Sequence, residues 1–193
     1  MVVRSSRNIY IALATLLEHM LQKYTRYRVL REFFDCPTKD FHMRELSRRT
    51  KIAQPSVTNH LNSLVKEGLV IKEKKGIYPT YVANRDNVLF KLYKKSDVIL
   101  RIKQTGLGDY IYDACQPDAI VLFGSSAKGE DLENSDIDLF IQAPEKRLNL
   151  LQYEKKLNRK INLFFEENFS RLSGELKNNI INGTVLNGYL KVF

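Results

Sequence analysis

Ala119 to Ile141 reads AIVLFGSSAKGEDLENSDIDLFI, and the fold turns on how the two ends of this stretch are read. Five apolar residues, Ala119 to Phe123, run without a break into Gly124-Ser125, the pattern of a buried strand ending in a turn where backbone approaches a ligand closely. A second apolar strand begins at Ser135. Side chains on a strand alternate with period two, so Asp136 and Asp138 face one side while Ile137 and Leu139 face the core, and two carboxylates are held a few ångströms apart. Like charges that close are costly unless a divalent cation lies between or beside them. Hard oxygen ligands favour Mg2+ or Mn2+, ions that accompany nucleotide phosphates. Gly124 and Ser125 offer an N–H and a hydroxyl to the same phosphates, and Lys128 adds positive charge as negative charge builds on a leaving group. These parts suit metal-assisted transfer of a nucleotidyl group from an NTP, with Asp136 and Asp138 as the catalytic and metal-binding carboxylates.

Downstream, the sequence predicts a helix over 145–159 with Leu148, Leu151, Tyr153 and Leu157 inward, then a third strand, Lys160 to Phe165. Glu166 and Glu167 follow it, read as acidic residues leading a helix over 168–176, with the alternative that the chain bends and brings them to the carboxylate pair. Asn182-Gly183 and Asn187-Gly188 mark turns around a closing strand. Gly124-Ser125, ten residues and Asp136-x-Asp138 together resemble the GSx10DxD signature of the minimal nucleotidyltransferases in the DNA polymerase beta superfamily. In many members of that family the third strand carries a third carboxylate, which completes the metal site and acts as base toward the attacking hydroxyl. This chain has Asn162 there. An amide offers one neutral oxygen and cannot serve as a base, so Asn162 argues against two-metal catalysis.

Upstream, the charge changes sign. Residues 1–105 hold 21 Lys and Arg against 9 Asp and Glu, whereas residues 106–193 hold 10 against 13, so the basic first half suits a polyanion. Tyr27, Leu30, Phe33 and Phe34 recur at helical spacing and stop before Pro37. Met43 to Thr50 reads as a second helix, Lys51 to Gln54 as a turn, and Pro55 as an early residue of a third helix. Val57, Leu61, Leu64 and Val65 are the buried stripe of that third helix, and Gly68 stops it. Ser56, Thr58, Asn59, His60, Asn62 and Ser63 lie on or near its polar side, donors and acceptors suited to base edges and phosphates. Leu69 to Gly76 and Ile77 to Ala83 form a hairpin with a basic tip, Lys72, Lys74 and Lys75. The run REL, a turn, QPSVTNHL and GLV resembles the winged-helix DNA-binding domains of prokaryotic regulators. The resemblance implies that helix 55–67 enters the major groove of double-stranded DNA while the lysines of the wing lie on backbone or in the minor groove, which makes affinity salt-dependent.

The segment 86–104 reads as a joining helix with Val88, Leu89, Leu92, Tyr93, Val98, Ile99 and Ile102 on one face. Its Lys91, Lys94, Lys95, Arg101 and Lys103 are a solvated face or a second DNA contact. Ile9 to Gln22 is a further apolar helix, which packs on its own domain or pairs with a second copy in a homodimer. The expected organisation is an N-terminal helix (1–25), a winged helix-turn-helix (26–85), a linker helix (86–106) and a nucleotidyltransferase domain (107–193). The fold class is α+β, with a small mixed sheet in the second domain. With 44% apolar and 27% charged residues the chain is globular. No apolar run is long enough for a membrane span and no signal-peptide pattern is found, and Cys36 and Cys115 have neither zinc nor disulfide-framework spacing, so the expected location is the cytoplasm.

As a whole the chain resembles prokaryotic, largely archaeal-type proteins in which a winged helix precedes a minimal nucleotidyltransferase. That resemblance implies transfer of NMP, with AMP favoured and ATP as substrate, to a protein or RNA acceptor, in some relatives a partner toxin. The alternative is a transcription regulator whose second domain binds nucleotide or mediates oligomerisation without turnover. A basic winged helix that binds structured RNA is a third reading.

Overall fold

Proline, asparagine and glycine set most of the element boundaries. The computed structural model describes residues 24–74 and 76–192, so the expected helix Ile9 to Gln22, its pairing in a homodimer, and Lys75 of the wing lie outside the described residues. The chain divides into two compact units, residues 1–90 and 91–193.

In the first unit, helix α1 (Thr25–Asp35) buries Val29, Leu30, Phe33 and Phe34, the i, i+1, i+4, i+5 set of one face. Helix α2 (Met43–Thr50) ends at Lys51, and α3 (Gln54–Lys66) begins with Pro55 in its first turn, where a missing N–H costs nothing. Val57, Leu61 and Leu64 are fully buried as the spacing predicts. After α3 the Leu69 N–H closes on the Leu64 carbonyl at 3.0 Å, so the helix stops at Gly68. Strands β1 (Val70–Glu73) and β2 (Thr80–Ala83) then pair antiparallel. The hairpin is shorter than expected because Pro79 has no N–H for the ladder. Lys72 therefore sits exposed on β1, paired with Tyr81, rather than at the tip. The sequence did not reveal one further pairing, in which Phe41 and Tyr81 exchange backbone bonds of 2.9 and 2.8 Å and bring Phe41 edge-on to Phe33.

Helix α4 (Val88–Thr105) corrects the sequence reading. Phe90, Lys94, Asp97, Val98 and Ile102 turn inward while Val88, Leu89, Leu92 and Tyr93 are exposed. The predicted stripe merged two sets lying on different sides of a 3.6-residue period. Nor do three of its five basic residues form a free face. Lys94 is 2% exposed, Lys91 pairs with Glu130 at 2.6 Å, and Arg101 donates to the Leu157 carbonyl at 2.8 Å.

In the second unit a further helix, α5 (Leu107–Cys115), precedes β3 (Ala119–Phe123), β4 (Ile137–Ile141), β5 (Ile161–Phe165) and β6 (Thr184–Gly188). The mixed sheet has the order β5-β4-β3-β6, with β4 and β5 parallel and the other pairs antiparallel. Ile120, Leu122, Ile137, Leu139 and Ile161 pack on one face with Val98, Ile102, Leu107 and Ile111; Val121, Phe123 and Phe140 pack on the other with Phe169 and Ile180. Burial on both faces is why Ala119 to Phe123 is an unbroken apolar run.

Three local expectations change here. The turn at Gly124-Ser125 is a short helix, α6 (Gly124–Lys128). The helix expected over 145–159 is only α7 (Leu151–Leu157), because the Asn149 side-chain Oδ1 accepts from the Leu151 N–H at 3.3 Å and fixes the start; Leu151 points outward. The helix expected over 168–176 is a 3-10 turn, Phe169–Arg171, capped by Asn168, followed by α8 (Gly174–Ile181), capped by Ser173.

Candidate functional site

Register brings the carboxylates together. Phe123 lies opposite Asp138 across the β3–β4 ladder, and Asp138 lies beside Asn162 across the β4–β5 ladder. Gly124 comes directly off β3 with φ +72, and a Cβ there would stand 2.6 Å from Asp138 Oδ2. Only glycine lets the backbone pass this close to the carboxylate. Asp136 precedes the first residue of β4, yet its side chain turns to the same place, because the Asn162 amide Nδ2 donates to Asp136 Oδ2 and to Asp138 Oδ1, each at 3.1 Å. An amide nitrogen has two hydrogens, one for each carboxylate. Ser125 is half-buried in the first turn of α6, and Lys128 is exposed at its end, where its charge acts on Glu130. Glu166 lies four residues beyond Asn162, about 13 Å along an extended chain, and accepts from the Asn168 N–H at 2.9 Å. It belongs to the turn after β5, not to the carboxylate pair.

Behind the carboxylates is a buried ionic cluster that the sequence did not disclose. Arg159 donates through Nε to the Ser135 carbonyl at 2.7 Å, through Nη1 to Asp131 Oδ2 at 2.8 Å, and through Nη2 to Ser126 Oγ and the Asp136 carbonyl, both at 2.9 Å. Asp131 Oδ2 also meets Lys94 Nζ at 3.4 Å, with side-chain exposures of 4% and 2%. Burial pushes the Lys94 ammonium below its ordinary pKa, against the opposing pull of Asp131.

On α3 of the first unit, Asn59 and Asn62 are exposed on one side, one turn apart. The hydroxyls of Ser56 and Thr58 are engaged locally, Ser56 Oγ with His60 Nε2 at 3.2 Å and Thr58 Oγ1 donating to the Gln54 carbonyl at 3.0 Å. His60 also meets Thr25 Oγ1 at 2.7 Å, and burial, aided by the positive Arg26, lowers its pKa. Lys72 and Lys74 are exposed on the wing, while Arg44 lies over the Tyr78 ring at 5.9 Å, tying α2 to the hairpin.

Residues 25–72 match the family model described as bacterial regulatory protein, arsR family, and residues 111–187 match the family model described as nucleotidyltransferase domain. The chain is a winged helix-turn-helix followed by a nucleotidyltransferase domain. No curated protein and no solved structure matches it. Gly124, Ser125, Lys128, Asp136, Asp138 and Asn162 all fall within the nucleotidyltransferase match, and α1 to α3 and all of β1 but Glu73 fall within the helix-turn-helix match. Among the described residues no helix is long and apolar enough to cross a membrane.

Asp136 and Asp138 are the residues of the nucleotidyltransferase domain that could hold a divalent cation of the Mg2+ or Mn2+ class. Two carboxylates converge on a single amide nitrogen, and the space beside Asp138 is kept clear by a residue without a Cβ. Among the described residues no group of three His, Cys, Asp or Glu that could hold a metal ion is gathered. Arg159, Asp131 and Lys94 escaped the sequence reading because they are far apart along the chain. Only the adjacency of Arg159 to the strand that carries Asn162 pointed toward the site.

Proposed function

We propose that the nucleotidyltransferase domain transfers a nucleoside monophosphate, AMP favoured, from an NTP to a hydroxyl of a protein or RNA acceptor, while the winged helix binds double-stranded DNA. The convergence of Asp136 and Asp138 on Asn162, with Asp138 against the bare backbone of Gly124, carries this reading, because nothing in the packing of the sheet requires it. Asp136 and Asp138 hold the cation. When bound, Mg2+ or Mn2+ polarises the α-phosphate and offsets charge on the departing pyrophosphate. The Gly124 and Ser125 backbone and the Ser125 hydroxyl face the phosphates, and Lys128 adds charge at the rim. The acceptor oxygen forms the new bond to the α-phosphorus as the bond from that phosphorus to the α–β bridging oxygen breaks. The hydroxyl proton passes to solvent or to a group of the acceptor, since the Asn162 amide cannot take it.

The test is label transfer and pyrophosphate release from α-labelled ATP in Mn2+ and in Mg2+, with a lysate of the source cells as acceptor pool. Labelled product is expected from wild type and none from Asp136→Ala/Asp138→Ala. Gly124→Ala is expected to lose about a hundredfold in rate, the effect of displacing a reacting group by about 1 Å. Bound nucleotide with neither label transfer nor pyrophosphate in wild type would overturn the activity. The second reading, a regulator that binds nucleotide without turnover, is favoured by one observation, the Asn162 amide already bridging both carboxylates.

A further inference from the structure

We infer that Arg159 is the positioning residue of the carboxylate pair, setting where Asp136 stands relative to Asp138 and helix α6. This rests on the reading of the site as a nucleotidyltransferase centre. Asp138 is fixed by the sheet, paired with Phe123 on one side and Asn162 on the other. Asp136 has no such support, since β4 begins only at Ile137. Apart from a long 3.4 Å bond from Ser126 Oγ to its carbonyl, what holds Asp136 comes from one short segment. Arg159 grips its carbonyl at 2.9 Å and that of Ser135 at 2.7 Å, while Asn162, three residues on, grips its carboxylate at 3.1 Å. The same guanidinium reaches Ser126 in α6 at 2.9 Å. One planar fork thus ties together the strand of Asn162, the loop of Asp136 and the helix that follows Gly124.

The guanidinium is itself held in place. Its side chain is 10% exposed, and Asp131, 4% exposed, receives it at 2.8 Å. A buried ionic cluster of this kind is poor support for stability, because apolar side chains of the same volume do as well or better. Fixed geometry is what it supplies. The rigid spread of donors in arginine spans these acceptors, whereas the ammonium of lysine offers its donors from one point.

The test follows Mn2+ binding by electron paramagnetic resonance, with circular dichroism as the check on folding, in the full-length wild type, Arg159→Lys, Ser126→Ala and Asp138→Ala. Arg159→Lys is expected to keep the wild-type spectrum and to lose about ten- to a hundredfold in Mn2+ affinity, as when the hydrogen-bond partners behind metal ligands are removed. Ser126→Ala, which deletes the acceptor of Arg159 Nη2 and with it the long 3.4 Å bond from Ser126 Oγ to the Asp136 carbonyl, is expected to lose at least threefold, about the weight of one hydrogen bond. Wild-type affinity in folded Arg159→Lys overturns the assignment. So does a wild type with no Mn2+ site that Asp138→Ala removes. Where Arg159→Lys does not fold, Ser126→Ala decides, and an unchanged affinity there overturns it. Label transfer is scored separately: a wild type that binds Mn2+, loses it in Arg159→Lys and transfers nothing overturns the proposed activity while supporting the role of Arg159.

Discussion

Asn162 donates to two carboxylates through one nitrogen, and that is the most informative contact in the second unit. Its two hydrogens lower the cost of holding Asp136 and Asp138 together without a cation, which a third carboxylate in its place would raise. Asn162→Asp therefore has an effect whose sign depends on the solution. In a chelator three carboxylates converge with no donor between them. The melting midpoint is expected to fall below wild type, by about 4 °C or more for each kcal/mol lost. In millimolar Mn2+ the added ligand tightens binding, and because the cation binds only the folded state the midpoint is expected to rise above wild type. Thermal melts of both proteins in both solutions check it. Midpoints that move together would show that residue 162 does not sit between the carboxylates.

At the scale of the element, α3 carries its own titratable group. His60 bonds Thr25 and Ser56 and has its pKa lowered by burial and by Arg26, so between that lowered value and its ordinary 6.5 the unfolded chain binds more protons than the folded one. Stability contributed by neutral His60 is present above pH 6.5 and is lost as pH falls through the folded pKa. Urea denaturation at stepped pH is expected to show this loss in wild type, and His60→Gln is expected to flatten it. Elements such as α3 were readable beforehand because their signals are local: Pro55 and Gly68 bound it, and Val57, Leu61 and Leu64 mark its buried side. The same holds for β3, β4 and β5, whereas Asp136 precedes β4 and stands beside Asp138 through the Asn162 amide rather than by strand alternation. Reading failed where the deciding contact came from elsewhere in the chain or from a single side chain. Asn149 delays the start of α7, and a buried carboxylate from residue 131 turns Lys94 inward on a helix whose pattern reads as basic surface. Composition ranks lysine as exposed, and no local spacing reveals a partner 37 residues away.

For the whole molecule the question is whether a strongly basic first unit and a nearly neutral second unit do one job or two. The first, residues 1–90, holds 16 Lys and Arg against 8 Asp and Glu and carries the helix-turn-helix; the second, residues 91–193, holds 15 against 14 and carries the carboxylates. Under the transfer reading, DNA positions the protein and the chemistry proceeds independently, so affinity for duplex DNA is expected to be the same, within about twofold, with and without NTP and Mn2+. Under the regulator reading, nucleotide is the signal. The two sites must then be coupled by about 1 kcal/mol or more, which is about fivefold in affinity, and the coupling must be reciprocal, so that DNA shifts nucleotide affinity by the same factor. Fluorescence anisotropy of labelled duplex at one fixed salt concentration measures the first factor, and calorimetric titration of nucleotide with and without DNA measures the second. Salt has to be fixed because phosphate contacts by Lys72 and Lys74 would make affinity fall steeply with ionic strength and hide a fivefold change. Equal affinities together with pyrophosphate release leave an enzyme tethered to DNA. Matched, reciprocal shifts without pyrophosphate identify a nucleotide-responsive regulator, and Asp136→Ala would then be expected to abolish both shifts at once.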